Sequence, residues 1–121
     1  MKGYLTVTLN DFLGVDIKRE AGTPELPTMQ RVVNGLIETA FRVKSPFRKN
    51  ISIDGYVNEE GLLMDLPRVL GVVDAYGERA FSGNMIIVGG DERNGKTVSL
   101  TEAELDYIVK SFDNGFFVFV E

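Results

Sequence analysis

The residue types that carry most enzyme chemistry are missing from this sequence. It has no cysteine and no histidine, which excludes Cys-His and Ser-His-Asp nucleophile systems. Zinc sites built from thiolate or imidazole are excluded with them, and so is a disulfide framework. Acid–base work would fall to Asp, Glu, Lys or Tyr, and a bound metal would be an oxygen-loving ion such as magnesium or calcium. The sequence predicts no cofactor and no metal.

Three constellations remain. Gly90-Asp91-Glu92-Arg93-Asn94-Gly95-Lys96-Thr97 matches the phosphate-binding pattern G-x-x-x-x-G-K-T and follows the apolar run Met85 to Val88. In a working phosphate loop a helix starts at the Lys-Thr, so that its first amides face the anion. Here Lys96 to Leu100 reads as strand, and Asp91 and Glu92 would put two negative charges into the cradle. Asn94-Gly95 between two strands is a strong hairpin signal, and a hairpin is the expectation. The second constellation is acidic. Glu59 and Glu60, with Asp54 and Asp65, could gather a divalent ion for a nucleotide hydrolase or transferase. The plainer reading is a solvated turn, because adjacent residues of an extended turn point apart. The third is basic: Arg42, Lys44, Arg48 and Lys49, with Phe41 and Phe47 interleaved. Such a patch could hold a nucleotide-sized anion or a single strand by charge and stacking.

Charge bears on the partner. The formal net charge is -5, spread as +3 over residues 1–50 and -8 over residues 51–121. An acidic majority disfavours duplex nucleic acid.

The elements that must position these residues are legible in part. With 44% hydrophobic and 26% charged residues over 121 positions, the chain is long enough for one core and one domain. Residues 4–9 alternate, with Leu5, Val7 and Leu9 on one face, and Val15 and Ile17 could extend the pairing. A helix fits Leu26 to Asn34 on the stripe Leu26, Met29, Val32 and Val33, closed by Asn34-Gly35. Leu36 to Lys44 and Ile51 to Val57 have period two and are joined by the loop 45–50. Leu66, Val69, Leu70 and Val73 fall at helical spacing, with Pro67 in the first turn and Gly77 at the stop. Phe81 to Val88 reads as one strand. Thr101-Glu102-Ala103-Glu104 is a capping box opening a helix with Leu105, Ile108, Val109 and Phe112 inward. Phe116 to Val120, apolar on both faces, reads as a central strand covered on both sides, or as a partner contact.

Several of these blocks resemble a family. Met29-Gln30-x-x-Val33-Asn34-Gly35-x-Ile37-Glu38 and Val57-Asn58-Glu59-Glu60-Gly61-Leu62-Leu63, with Leu66-Pro67 following, look like its two signature blocks. Phe81-x-Gly83-Asn84 before Ile86-Ile87-Val88, and Leu100-Thr101-x-x-Glu104, sit where its later blocks would. The family consists of small domains of unknown function found in bacteriophages, plasmids and Gram-positive bacteria, and the resemblance spans roughly residues 26–110. The chain departs from its pattern at Asn34, where glycine is usual, and at Arg68, near an expected asparagine. The resemblance implies a mobile-element setting and no particular activity.

The sequence therefore predicts a single α+β domain over residues 1–121, a mostly antiparallel sheet with about three helices packed on it. The functional expectation is a non-catalytic phage or mobile-element accessory protein acting by stoichiometric binding. It would be a candidate counter-defence protein that sequesters a nucleotide-like ligand or blocks a host protein. A ligand-binding site would draw on Gln30, Arg42, Asn58, Glu59, Arg68 and Asn84. The alternatives are the carboxylate enzyme above and a structural or regulatory module. No apolar run approaches the roughly 20 residues that span a bilayer, and the first residues enter alternation directly. A cytoplasmic protein with no membrane partner, free to form a homo-oligomer, is expected.

Overall fold

The computed structural model describes residues 2–9, 14–60 and 68–119, the side chains of 68–70 excepted. Its architecture is α+β and predominantly antiparallel, as the patterning implies. Strands β1 (Gly3–Leu9), β2 (Val15–Ala21), β3 (Ile37–Lys44), β4 (Ile51–Asn58), β7 (Met85–Asp91) and β8 (Thr97–Val98) form one sheet. Its order is β2-β1-β7-β4-β3, with β8 also pairing with β7, and every pairing is antiparallel. The remaining strands β5 (Arg68–Asp74), β6 (Gly77–Ser82), β9 (Phe112–Asp113) and β10 (Phe116–Val118) make a second sheet in the order β6-β5-β10-β9. Only β5 and β10 run parallel. Helix α1 (Leu26–Val33) and helix α2 (Glu102–Ser111) complete the described elements. None of the described helices is long and apolar enough to cross a membrane.

Strand β7 is buried from end to end because the first sheet is covered on both faces. Met29 and Val33 of α1 pack on Ile86 and Val88, with Tyr4, Ile37 and Tyr56 around them. On the opposite face Leu5, Val7, Ile53, Val57, Met85 and Ile87 meet Leu105 and Ile108 of α2 and Phe117 and Phe119. Strand β3 serves both cores. A bulge between Thr39 and Phe41 shifts its register, so Ile37 packs toward α1 while Phe41 and Val43 face the other way. The strict alternation expected from Leu36 to Lys44 is broken there, since a bulge adds one residue to a period-two pattern. The Phe41 ring then lies over Gly55, where any Cβ would overlap it.

Three sequence expectations are corrected. The helix expected from Leu66 to Gly77 is instead the β5–β6 hairpin over 68–82; residues 61–67 lie outside the described residues. Spacing alone does not separate a short buried helix from a strand, and this run is rich in β-branched valine. Gly77 (φ 99°) belongs to a turn in which the Tyr76 amide donates to Asp74 Oδ1. With that segment in strand, two helices rather than three are found among the described residues. The strand expected from Phe81 to Val88 is split by a turn at Gly83 (φ 87°), which carries the chain from the second sheet into the first. Strand β10 lies inside its sheet, but only one face is covered: Phe117 and Phe119 are buried while Val118 is exposed.

One buried acid ties the two layers together. Glu104, inaccessible to solvent, closes the capping box of α2 by accepting from the Thr101 amide (2.8 Å). The same carboxylate accepts from Arg48 Nη2 (2.7 Å) and Nε (3.2 Å) and from the Ser45 hydroxyl. Arg48 also donates to the Ser99 carbonyl (3.0 Å). The 45–50 loop is thereby fixed to the start of α2. Burial opposes the Glu104 charge, yet Arg48, Ser45 and the Thr101 amide outweigh it and hold the carboxyl below its ordinary value of 4.5. A lowered folded value adds stability above the ordinary carboxylate range, and that stability is lost as pH falls through the lowered value. Glu104→Gln should cost about 2–3 kcal/mol in urea unfolding, less than for a wholly buried pair because Arg48 is partly exposed. The variant should also lose less stability than the parent on acidification below pH 4.5; parallel stability–pH curves would refute the assignment.

Candidate functional site

The sequence-predicted site residues fall in three separate places. Asn58 and Asn84 meet at the C-terminus of α1. A helix leaves its last carbonyls without intrahelical donors, and here each is supplied. The Asn34 and Gly35 amides donate to the Arg31 and Gln30 carbonyls. Asn84 Nδ2 donates to the Val32 carbonyl, and Asn58 Nδ2 to those of Val33 and Asn34, all at 3.0 Å. The two side-chain oxygens accept from the Leu9 and Glu60 amides. Asn34 (φ 62°) adopts the left-handed conformation that asparagine, like glycine, tolerates. A Cβ on Gly35 would come within 2.6 Å of the Asn58 amide nitrogen. Both asparagines hold α1 to the sheet.

Gln30 lies in α1, where its carbonyl belongs to that same cap. Glu59 is exposed and its amide donates to the Leu36 carbonyl. Arg42 lies on β3 and pairs with buried Asp54 (2.9 Å), whose hydrogen bond and charge raise the guanidinium above its ordinary value. Arg68 is in β5, and its side chain is outside the description. Among the described residues Asn58 and Glu59 line one cavity and Arg42 two others.

The three sequence constellations are likewise resolved. Gly90–Thr97 is the β7–β8 hairpin: the Asp91 amide donates to the Lys96 carbonyl (2.9 Å), the Gly95 amide donates to the Asp91 carbonyl (2.7 Å), and α2 begins only at Glu102. Arg93 donates to the Asp91 carboxylate through side chain and backbone and holds it below the usual range. The acidic set is dispersed. Asp54 is five residues back along β4 from Glu59, roughly 16 Å in an extended strand, and Asp65 lies outside the described residues. Among the described residues no group of three carboxylates could hold a metal ion. The basic patch is thinned, with Arg48 engaged by Glu104 and Phe41 in the core. Lys44 and Lys49 make no ion pair among the described residues.

What the fold does assemble is a groove of about 510 Å³ beside β3, lined chiefly by Arg42, Lys44, Pro46, Tyr76, Tyr107 and Phe119. Tyr107 sits 6.2 Å from Phe119 and meets Phe47 edge-on at 6.1 Å, ring centre to ring centre. Tyr76, at the tip of the β5–β6 turn, is 86% exposed. An aromatic wall with cations on its rim suits a partner that buries apolar surface and carries negative charge. Sequence reasoning found Arg42 and Lys44 but missed the tyrosines. Tyr76 was hidden in a presumed helix, and an aromatic one residue before a turn glycine was its only local signal.

Fold and groove define a small two-sheet α+β domain with an aromatic, cation-rimmed recess. The chain belongs to the family described as Domain of unknown function (DUF3846), which matches residues 10–113. Neither a curated protein nor a solved structure matches it.

Because Asn58 and Asn84 cap a helix, Asn58→Ala and Asn84→Ala should each lower stability by about 1–3 kcal/mol. Gly35→Ala should do the same by displacing Asn58. Hydrogen exchange at the amides of α1 should speed up in all three, while exchange at Tyr107 in α2 stays unchanged. Faster exchange in both helices alike would argue against a local cap.

Proposed function

We propose that this chain is a phage or mobile-element accessory protein that acts by stoichiometric binding, and that the groove beside β3 takes hold of a host protein. The mobile-element setting rests on the family resemblance, and counter-defence is the role it suggests. The observation that carries the binding reading is the groove itself: Tyr76 lies almost wholly in water at its mouth, and Lys44 has no ion-pair partner among the described residues. Tyrosine is enriched among the residues that dominate protein interfaces. A second reading draws on the same residues. Tyr76 and Tyr107 could flank a flat ring while Lys44 and Arg42 meet a phosphate, which suits a nucleotide-like ligand.

Native mass spectrometry of the protein recovered gently from a host lysate tests both. The expected result is an equimolar complex with a second polypeptide, absent for Tyr76→Ala and weakened for Lys44→Glu. Tyr76→Ala should cost about 2 kcal/mol of affinity, roughly thirtyfold in Kd, with an unchanged unfolding midpoint. A mass excess of a few hundred daltons released by denaturation would replace the host protein with the small ligand. Bare protomers would leave neither reading standing.

A further inference from the structure

The backbone phase of β3 specifies how a partner would sit in the groove. The Ser45 amide donates to the Ile51 carbonyl (2.9 Å), so Phe41, Val43 and Ser45 turn their backbone groups toward β4. By the alternation of an antiparallel ladder, Arg42 and Lys44 turn theirs away. Among the described residues β3 pairs only with β4, which leaves one amide and one carbonyl on each of these two residues facing the groove. The open edge is short. At one end the Ala40 carbonyl, freed by the bulge, accepts from Arg79 Nη1 (2.8 Å) of the second sheet, and at the other Pro46 interrupts it.

We propose that the Arg42–Lys44 edge of β3 receives an extended polypeptide segment as an added strand, with acidic side chains on one face and apolar ones on the other. This rests on the protein-binding reading above and names the form of its partner. Strand addition supplies affinity through the main chain and specificity through alternate side chains. The register fixes the two faces. Arg42 stands opposite Asp54 on the side of the sheet that carries α1, so partner residues level with Arg42 and Lys44 meet two cations. Arg42 remains 59% exposed despite its pair with Asp54. Val43 points into the core that holds Phe119 and Tyr107, so the intervening partner residues meet the aromatic wall. On a chain of net charge -5 these cations are a local exception, favourable to an acidic segment that the rest of the surface repels.

Selection of a displayed library of random peptides about a dozen residues long against the intact protein tests this. The enriched peptides should alternate acidic with apolar residues, and binding should slow hydrogen exchange at the Arg42 and Lys44 amides. Lys44→Pro removes the outward N–H in addition to the ammonium that Lys44→Ala also removes, and keeps every bond to β4, a substitution that an edge strand accepts. It should weaken binding at least tenfold more than Lys44→Ala. N-methylating the selected peptide at alternate amides makes the same test without altering the protein. Equal binding by Lys44→Pro and Lys44→Ala, together with tolerance of N-methylation, would overturn strand addition while leaving a groove that binds protein. Failure to enrich any peptide, or enrichment without alternation, would overturn it as well.

Discussion

The structure depends on the buried carboxylate of Glu104. Glu104 has no access to water, and an ionised acid in that position survives only with its hydrogen bonds filled. The Thr101 amide, the Ser45 hydroxyl and the Arg48 guanidinium fill them, and those donors come from two distant stretches of chain. The interaction therefore sets the start of α2 and the height of the 45–50 loop at once. The groove hangs on that arrangement, because its walls are the end of β3, the beginning of this loop and Tyr107 of α2. If the pairing were lost, Arg48 would be left partly buried without its counter-charge, and the loop would have no reason to stay against the helix.

A second polar device works on the other side of the sheet. Helix α1 has eight residues, too few to be stable alone, and it is held by Met29 and Val33 below and by two asparagine amides at its end. Asn58 and Asn84 are the residue types that a ligand site would use, and they lie close together, yet their hydrogen-bonding groups are turned to the backbone of α1 and its neighbours. Buried polar side chains must find partners wherever they are. The nearest carbonyls here belong to a helix end, which needs donors for the same reason.

The groove lies between the edge of the first sheet and the tip of the β5–β6 hairpin. Strand β3 is the edge of the first sheet, and the β5–β6 hairpin of the second bonds to it at Ala40, through Arg79. Beyond that point Tyr76, Tyr107 and Phe119 line the groove beside β3. The bulge in β3 makes both features: it frees the Ala40 carbonyl for Arg79, and it turns Phe41 and Val43 into the core beneath the groove.

Local signals in the sequence determined the elements whose causes are local. The capping box at Thr101–Glu104, the left-handed stop at Asn34, the Asn94-Gly95 hairpin and the strands β1 and β4 all follow from residues within a few positions of one another, and each is present. The missing histidine and cysteine narrowed the chemistry in the same direct way. Tertiary structure decided the rest. Whether Val69 to Val73 became helix or strand turned on Phe116, Phe117 and Val118 arriving alongside as a parallel neighbour, a contact more than forty positions away. The bulge at Ala40, the turn of Asn58 and Asn84 toward α1, and the meeting of Lys44 with Tyr76 and Tyr107 are likewise products of packing between segments remote in sequence. Periodicity reports which residues want to leave water, but not which surface they will find.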